Sequence, residues 1–245
     1  MKIEGRVALV TGANRGLGRA FAAGLIEAGA AKVYAGARDP ATVTDPRVVP
    51  VRLDVTEPGD VAAAAAQCAD VSILINNAGV MLLSSMLAAG AQDAMRREIE
   101  VNVFGTLRMI SGFAPILAHN GGGAIANMLS VVSWFVYPFN ATYCASKHAA
   151  LAVTEGARIE LRAQRTLVVG IHAGFVDTDM AAYVPGPKTP VRQVVERTLQ
   201  AIRRDEELVL ADERAEETWR NSRSDPAGLA ARMQQAWDAG PPWKT

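Results

Sequence analysis

Arg6-Val7-Ala8-Leu9-Val10-Thr11-Gly12-Ala13-Asn14-Arg15-Gly16-Leu17-Gly18 decides the architecture of this chain. Residues 6–10 are a short apolar run of strand formers. A glycine-rich turn follows at once. Residues 19–30 then read as a helix, with Ala20, Phe21, Gly24, Leu25 and Ala28 on one stripe and Gly29 near its end. Strand, glycine turn and helix together open a dinucleotide-binding unit. The glycines let the backbone turn tightly and let a pyrophosphate approach the helix N-terminus. The spacing is G-x-x-x-G-x-G instead of the more usual G-x-G-x-x-G. A glycine-rich turn alone can be a plain connection, but the strand before it and the helix after it favour the nucleotide reading.

The same alternation continues along the chain. Apolar runs predict strands at 7–10, 32–35, 48–53, 73–75, 124–128 and 167–171, with a weaker one at 207–210. Helical patterns fall at 19–28, 61–68, 91–117, 142–162, 191–203 and 229–236. No linker divides them. The expectation is one α/β domain over residues 1–245, a Rossmann-type doubly wound parallel sheet. The alanine run 62–66 is helix-forming and carries no function. With 50% hydrophobic and 20% charged residues, the composition is globular. Twenty-five basic residues balance 25 acidic ones, and no basic stripe suggests nucleic acid. Gly, Asn and Arg interrupt every apolar run, so no membrane span is expected. Met1-Lys2-Ile3-Glu4-Gly5 is too short and polar for a signal peptide. Two cysteines, Cys68 and Cys144, give no disulfide framework, and the default setting is cytoplasmic.

The chemistry is carried by Tyr143-Cys144-Ala145-Ser146-Lys147, with Ser130 upstream. The four-residue spacing puts Tyr143 and Lys147 on one helix face. A phenol with a reference pKa near ~10 is a poor acid or base at neutral pH. A fixed ammonium nearby favours the phenolate and lowers that value, which suits acid–base work at a carbonyl or alcohol oxygen. The Ser130 hydroxyl can hold that oxygen. Cys144 reads as packing. His119, His148 and His172 have no partner spacing that suggests a metal site.

Taken together, these residues resemble the classical short-chain dehydrogenase/reductase family over residues 6 to about 180. The carrying motifs are Thr-Gly-x-x-x-Gly-x-Gly at Thr11 to Gly18, Asn76-Asn77-Ala78-Gly79, Asn102 in Glu100-Val101-Asn102-Val103, Ser130, and Tyr143 with Lys147. The resemblance implies that Tyr143 is the general acid/base and that Ser130 orients the substrate oxygen. It implies that Lys147 lowers the tyrosine pKa and binds the nicotinamide ribose, and that Asn102 joins a water-mediated proton relay. It further assigns the cofactor to Gly12, Asn14, Arg15, Gly16, Leu17 and Gly18, to Asp54-Val55 beside the adenine, and to Asn77, Ala78 and Gly79. His172-Ala173-Gly174-Phe175-Val176-Asp177-Thr178 resembles the family's Pro-Gly-x-Val-x-Thr stretch beside the nicotinamide, with Ala173 in place of proline. Gly174, Val176 and Thr178 are therefore cofactor candidates, and no metal is implied.

NADP(H) is favoured over NAD(H). An NAD-selective site places a carboxylate at the end of the second strand, about 20 residues past the glycine turn. By register with the family Ala37 occupies that place, followed by Arg38, with Arg15 as a second cation suited to a 2′-phosphate. A shift of two positions would bring Asp39 into the acid's place. By the same analogy Met81, Leu82, Trp134, Phe135, Tyr137, Phe139, Met180 and Tyr183 border the substrate pocket. None is cationic, which implies a neutral, mainly apolar ketone or secondary alcohol. The lid at about 180–190 is short and holds Pro185, Pro187 and Pro190.

A carbonyl reductase or alcohol dehydrogenase is the leading reading. An extended-type epimerase or dehydratase shares the Tyr and Lys, but such chains are usually longer. A non-catalytic nucleotide-binding regulator often lacks one of the catalytic residues, all of which are present here. A homodimer is expected through the two long helices, with a homotetramer as the alternative. The tail at about 211–245 departs from the family's Asp-Gly-Gly ending. Its Trp237 and Trp243 are expected to cap the chain's own core or to reach a neighbouring subunit.

Overall fold

The N-terminal apolar run forms β1 (Val7–Thr11), whose side chains alternate between two cores. In the computed structural model, which describes residues 1–241, β1 pairs with β2 (Lys32–Ala37) on one side and β4 (Ile73–Asn76) on the other. Seven strands lie in the order β3-β2-β1-β4-β5-β6-β7, and all neighbours are parallel. The others are β3 (Val49–Arg52), β5 (Gly123–Met128), β6 (Thr166–His172) and β7 (Leu208–Leu210). The expected doubly wound α/β sheet is therefore present, weak seventh strand included. The strand order reverses between β1 and β4, which opens a crevice at the carboxyl ends of the strands.

Ala8 and Val10 face one core, shared with Phe21 and Leu25 of α1 (Gly16–Glu27) and with Val195 and Leu199 of α6 (Val191–Arg204). Leu9 faces the other, shared with Val61 of α2 (Pro58–Gln67) and Phe113 of α4 (Thr106–His119). Each fully buried Phe or Leu contributes about 1.5–3 kcal/mol, so this two-sided burial fixes the strand register. Gly24 lets α1 and α6 touch, since a Cβ there would lie 2.5 Å from Val195 Cγ1.

The helix expected at 91–117 is continuous but not uniform. α3 (Ala91–Ile99) passes through a π-helical segment, Glu100–Gly105, into α4. The wider turn has local causes. The Asn102 side chain bonds to Val80, and Gly105 abuts Val55, where a Cβ would lie 2.7 Å from Val55 Cγ2. The 29-residue run Ala91–His119 holds an 18-residue window of mean hydropathy 1.3, long and apolar enough to cross a membrane by length and composition alone, which the sequence pattern did not suggest. Its Met109, Phe113 and Leu117 pack into the core beneath the sheet, as a core helix does. The Tyr143 helix is α5 (Ala141–Leu161).

After β7 the charged stretch forms α7 (Glu213–Ser224), and α8 (Pro226–Ala239) follows, starting three residues before its predicted position of 229 because Asp225 caps it and Pro226 opens it. No residue of α8 is buried. Trp237 stacks on Phe139 of the same chain at 5.4 Å but remains 48% exposed. Trp243 lies outside the described residues. Asp212, which is 4% exposed, ties this tail to the rest of the fold. Its carboxylate accepts from Ala215 N at 2.7 Å as the α7 cap, from Gly174 N at 2.8 Å, and from Thr189 Oγ1 at 2.8 Å. Asp212→Ala orphans three donors and removes a cap. It is expected to cost about 2–4 kcal/mol, read as a Tm drop on the order of 5–10 °C in a thermal melt. An unchanged Tm would contradict this account of the tail.

Candidate active site

The glycine turn is held by the end of β4. Thr11 Oγ1 accepts from Asn77 N and from Ala78 N, both at 3.0 Å, and the Asn77 amide donates to Thr11 O at 3.0 Å and Gly12 O at 3.3 Å. Gly12 and Gly16 adopt φ of +64° and +50°. A Cβ on Gly18 would run into Gly12 O and lie 2.6 Å from Asn77 Nδ2. α1 therefore begins at Gly16, three residues before its predicted start. Its cap residue Arg15 makes no side-chain capping bond, and its first turn holds no acid. That leaves the helix N-terminus and its N–H groups available to an anion, which fits a dinucleotide pyrophosphate. Thr178 comes across from beyond β6 to face Gly16, with its Cγ2 3.5 Å from where a Cβ would sit. Val176 is buried, and it forms a bridge to Thr189 that draws the ends of the short lid together.

At the tip of β2, Ala37 is buried and Arg38 and Asp39 are exposed. Asp39 is already engaged, since its Oδ1 accepts from Ala41 N at 3.0 Å to cap a short 3-10 turn. Arg15 ion-pairs with Asp179 at 3.3 Å, a contact exposed on both sides and therefore weak. Asp54 follows β3 and accepts from Thr56 N and Oγ1. Burial pushes its carboxyl up, but the Thr56 bonds and the Arg38 and Arg52 charges prevail and hold it below its usual value. Val55 is buried beside Gly105.

Ser130, Tyr143 and Lys147 are all buried at the carboxyl edge of β5. Lys147 Nζ donates to Met128 O at 2.7 Å and lies 5.5 Å from the Tyr143 ring centroid. Burial lowers Lys147 to about 8. Burial also raises the Tyr143 phenol, aided by Cys144, Glu98 and Tyr183 and opposed by a hydrogen bond from Ser130. Burial thus moves both groups toward neutrality. Ser130 opens a 3-10 turn, and its carbonyl accepts from His172 Nδ1 at 3.1 Å, which fixes the proton on that nitrogen. The Asn102 side chain is fully occupied, pairing with Val80 N and O at 2.9 Å and donating to Ser146 Oγ at 2.9 Å. The Asn102 backbone carbonyl accepts from Thr106 Oγ1 at 3.0 Å. Gly79 packs here, 3.1 Å from Asn102 Oδ1 and 4.0 Å from Lys147 Nζ by its absent Cβ. Asn76 lies inside the sheet and donates to Asn127 Oδ1 at 2.8 Å. Cys144 bonds to Asn140 and Tyr137 and is raised to about 12 by burial, so it stays a thiol.

Of the expected wall, Met81, Phe135 and Tyr137 cluster with Val131, Val132, Tyr143 and Cys144. Tyr183 of the lid reaches Met81 Sδ at 3.9 Å, while Met180 and Leu82 are exposed. Trp134 turns away and stacks on buried His172 at 3.9 Å. Phe139 meets Tyr137 and Trp237. Two arginines of α7 lie on aromatic rings nearby. Arg214 of α7 lies over Phe175 at 4.9 Å, and Arg223 lies between Trp134 at 5.7 Å and Trp219 at 4.2 Å. Sequence reasoning missed these arginines, together with Asp212 and buried Glu98, because each meets the site through a long-range contact.

With this geometry in hand, comparison with known proteins gives one answer. The short chain dehydrogenase profile matches residues 6–188. A short chain dehydrogenase of Burkholderia cenocepacia J2315, solved in complex with NADP, is 45% identical, with a TM-score of 0.92 over 95% of this chain and 99% of that one. The short chain dehydrogenase mpl6 of Monascus purpureus is 33% identical over 75% of this chain and 69% of the relative. A sorbitol dehydrogenase of Cereibacter sphaeroides is 32% identical over 72% and 73%. Cradle, buried Ser–Tyr–Lys cluster and sequence agree, and the chain belongs to the short chain dehydrogenase family.

Proposed function

We propose that this enzyme is an NADP(H)-dependent oxidoreductase that interconverts a neutral, mainly apolar ketone and its secondary alcohol. The observation that carries the reading is the convergence of Ser130, Tyr143 and Lys147, buried together beside an uncapped, acid-free helix N-terminus. The cofactor, when bound, supplies or takes the hydride. In reduction Ser130 holds the substrate oxygen, and the Tyr143 phenol, kept neutral by burial, gives its proton to that oxygen as the carbon accepts the hydride. The Lys147 ammonium, pinned by Met128 O, offsets the negative charge left on the phenol. Asn102 braces this group through Ser146 and Val80. The apolar cluster of Met81, Phe135 and Tyr137 supports a carbonyl without charge, and Arg214 stays at the rim.

For the cofactor, Gly12, Asn14, Arg15, Gly16, Leu17, Gly18, Asn77, Ala78, Gly79, Gly174, Val176 and Thr178 form the nucleotide cradle, with Asp54 and Val55 at the adenine end. Arg38 reads the 2′-phosphate, supported by buried Ala37 in the acid's place and by the engagement of Asp39 elsewhere. The NADP complex of the Burkholderia relative supports the same choice. The chain acts as one domain, with a lid at 180–190 and a tail from 211. It pairs into a homodimer through α4 and α5, whose Phe104 neighbour in the π-helix, Leu107 and Ile159 are exposed. Two buried, free cysteines suit a cytoplasmic setting.

Tyr143→Phe is expected to remove most of kcat while leaving NADPH binding intact, as measured by turnover and by cofactor fluorescence. Near-normal turnover would sink the mechanism. Arg38→Ala removes a charge-assisted contact worth about 1.5–3 kcal/mol, so kcat/KM with NADPH should fall roughly ten- to a hundredfold. Activity with NADH should change little, and equal loss with both cofactors would reject Arg38 as the reader. The third expectation concerns pH. A base lowered to about 8 is charged below that pH and neutral above it. The reductive kcat/KM, which reports the free enzyme, should therefore decline with an alkaline limb near about 8. A plateau reaching past the ordinary lysine range would contradict this.

A further inference from the structure

Two carboxylates are buried among the described residues: Asp212, which ties down the tail, and Glu98, which has no role in the mechanism above. It sits on α3 with 0% exposure and faces α5. Its Oε1 accepts from Leu82 N at 2.7 Å, while its Oε2 is buried with no hydrogen-bond partner. A buried carboxylate with half its acceptor capacity unmet is costly, and core positions rarely keep one without a use. The backbone it holds is itself unusual. Leu83, next to the anchored Leu82, has φ of +50°, a left-handed conformation that is uncommon for a leucine and persists only when its surroundings impose it. A second clamp comes from α5, where Thr142 N and Oγ1 donate to Ser84 O at 3.3 and 3.4 Å. Residues 82–84 are thus fastened to α3 by Glu98 and to α5 by Thr142, immediately before Tyr143. The fastened segment continues Met81, which packs in the Tyr143 cluster.

We infer that Glu98 is a positioning residue for the reaction, one that shapes the Met81–Ser84 pocket wall beside Tyr143 through the Leu82 bond. This rests on the reading of Tyr143 as the proton donor. Glu98 is among the groups that push the phenol and the adjacent Cys144 thiol upward, after burial itself. Burial in turn raises Glu98, against the Leu82 bond and the nearby Thr142 hydroxyl, whose own bond goes to Ser84 O. The other titratable groups around Tyr143 are Lys147 and Cys144 on its own helix, Tyr137 from the turn before that helix and Tyr183 from the lid. Glu98 is the one of these groups that lies on α3 and also anchors the wall.

Two variants of the full-length enzyme test the Leu82 bond. Glu98→Gln keeps an oxygen for Leu82 N and removes the charge. Glu98→Ala removes both. KM is measured in reduction with NADPH and acetophenone. For Glu98→Gln it should stay within about twofold of wild type, since the bond is kept. For Glu98→Ala the KM should rise on the order of tenfold because Leu82 N–H is orphaned, and Glu98→Gln rescues it. If Glu98→Ala leaves KM unchanged, or Glu98→Gln fails to rescue it, the anchoring role is overturned. Tyr143→Phe run alongside distinguishes the failures: an inactive Tyr143→Phe with an unchanged KM for Glu98→Ala rejects only this inference, whereas an active Tyr143→Phe rejects the mechanism beneath it.

Discussion

The Thr11 hydroxyl is the joint on which the site depends. It accepts from the backbone N–H of both Asn77 and Ala78, while the Asn77 amide returns two bonds to the carbonyls of Thr11 and Gly12. These bonds lash the tip of β1 to the tip of β4 where the strand order reverses. One consequence is steric: with Asn77 in place, residue 18 can only be glycine. Another is electrostatic, because α1 then starts with its N–H groups facing the crevice and no side chain capping them. The third is positional. The segment leaving β4 carries Gly79 to the Lys147 ammonium and Val80 to Asn102, so the cradle and the Tyr143 helix share a frame.

Much of this was legible in the sequence because the signals are local. The strand–turn–helix at 6–30, the near-continuous apolar strands and the i,i+4 pair Tyr143/Lys147 each need only neighbouring residues to be read. Boundaries were less legible. α1 begins inside the glycine turn, where no cap marks its start, and α8 begins at Pro226, where the Asp225 cap moves it a few residues early. The π-helical turn at Glu100–Gly105 left no periodic signature, for it arises from Val55 and Val80, distant in sequence.

The electrostatics of the site were the least legible part. Four-residue spacing says that Lys147 and Tyr143 are near each other, and a nearby cation ordinarily stabilises a phenolate. Spacing cannot report that both groups are buried, or that burial pushes each of them toward neutrality. For the same reason the tail looked like a charged afterthought. Asp212, Arg214 and Arg223 gain meaning only when β7 brings α7 beside the lid and Phe175. Glu98 reads as one more acid on a charged helix until α5 closes over it.

The central claim is that the crevice at the β1/β4 reversal holds a nicotinamide close enough to a carbonyl for direct hydride transfer, with the proton coming separately from Tyr143. Its most direct test uses NADPH doubly deuterated at the nicotinamide C4 and a ketone substrate in ordinary water, with mass spectrometry of the alcohol. The account predicts one deuterium on the carbinol carbon and none on the hydroxyl. Alcohol formed without carbon-bound deuterium would contradict it.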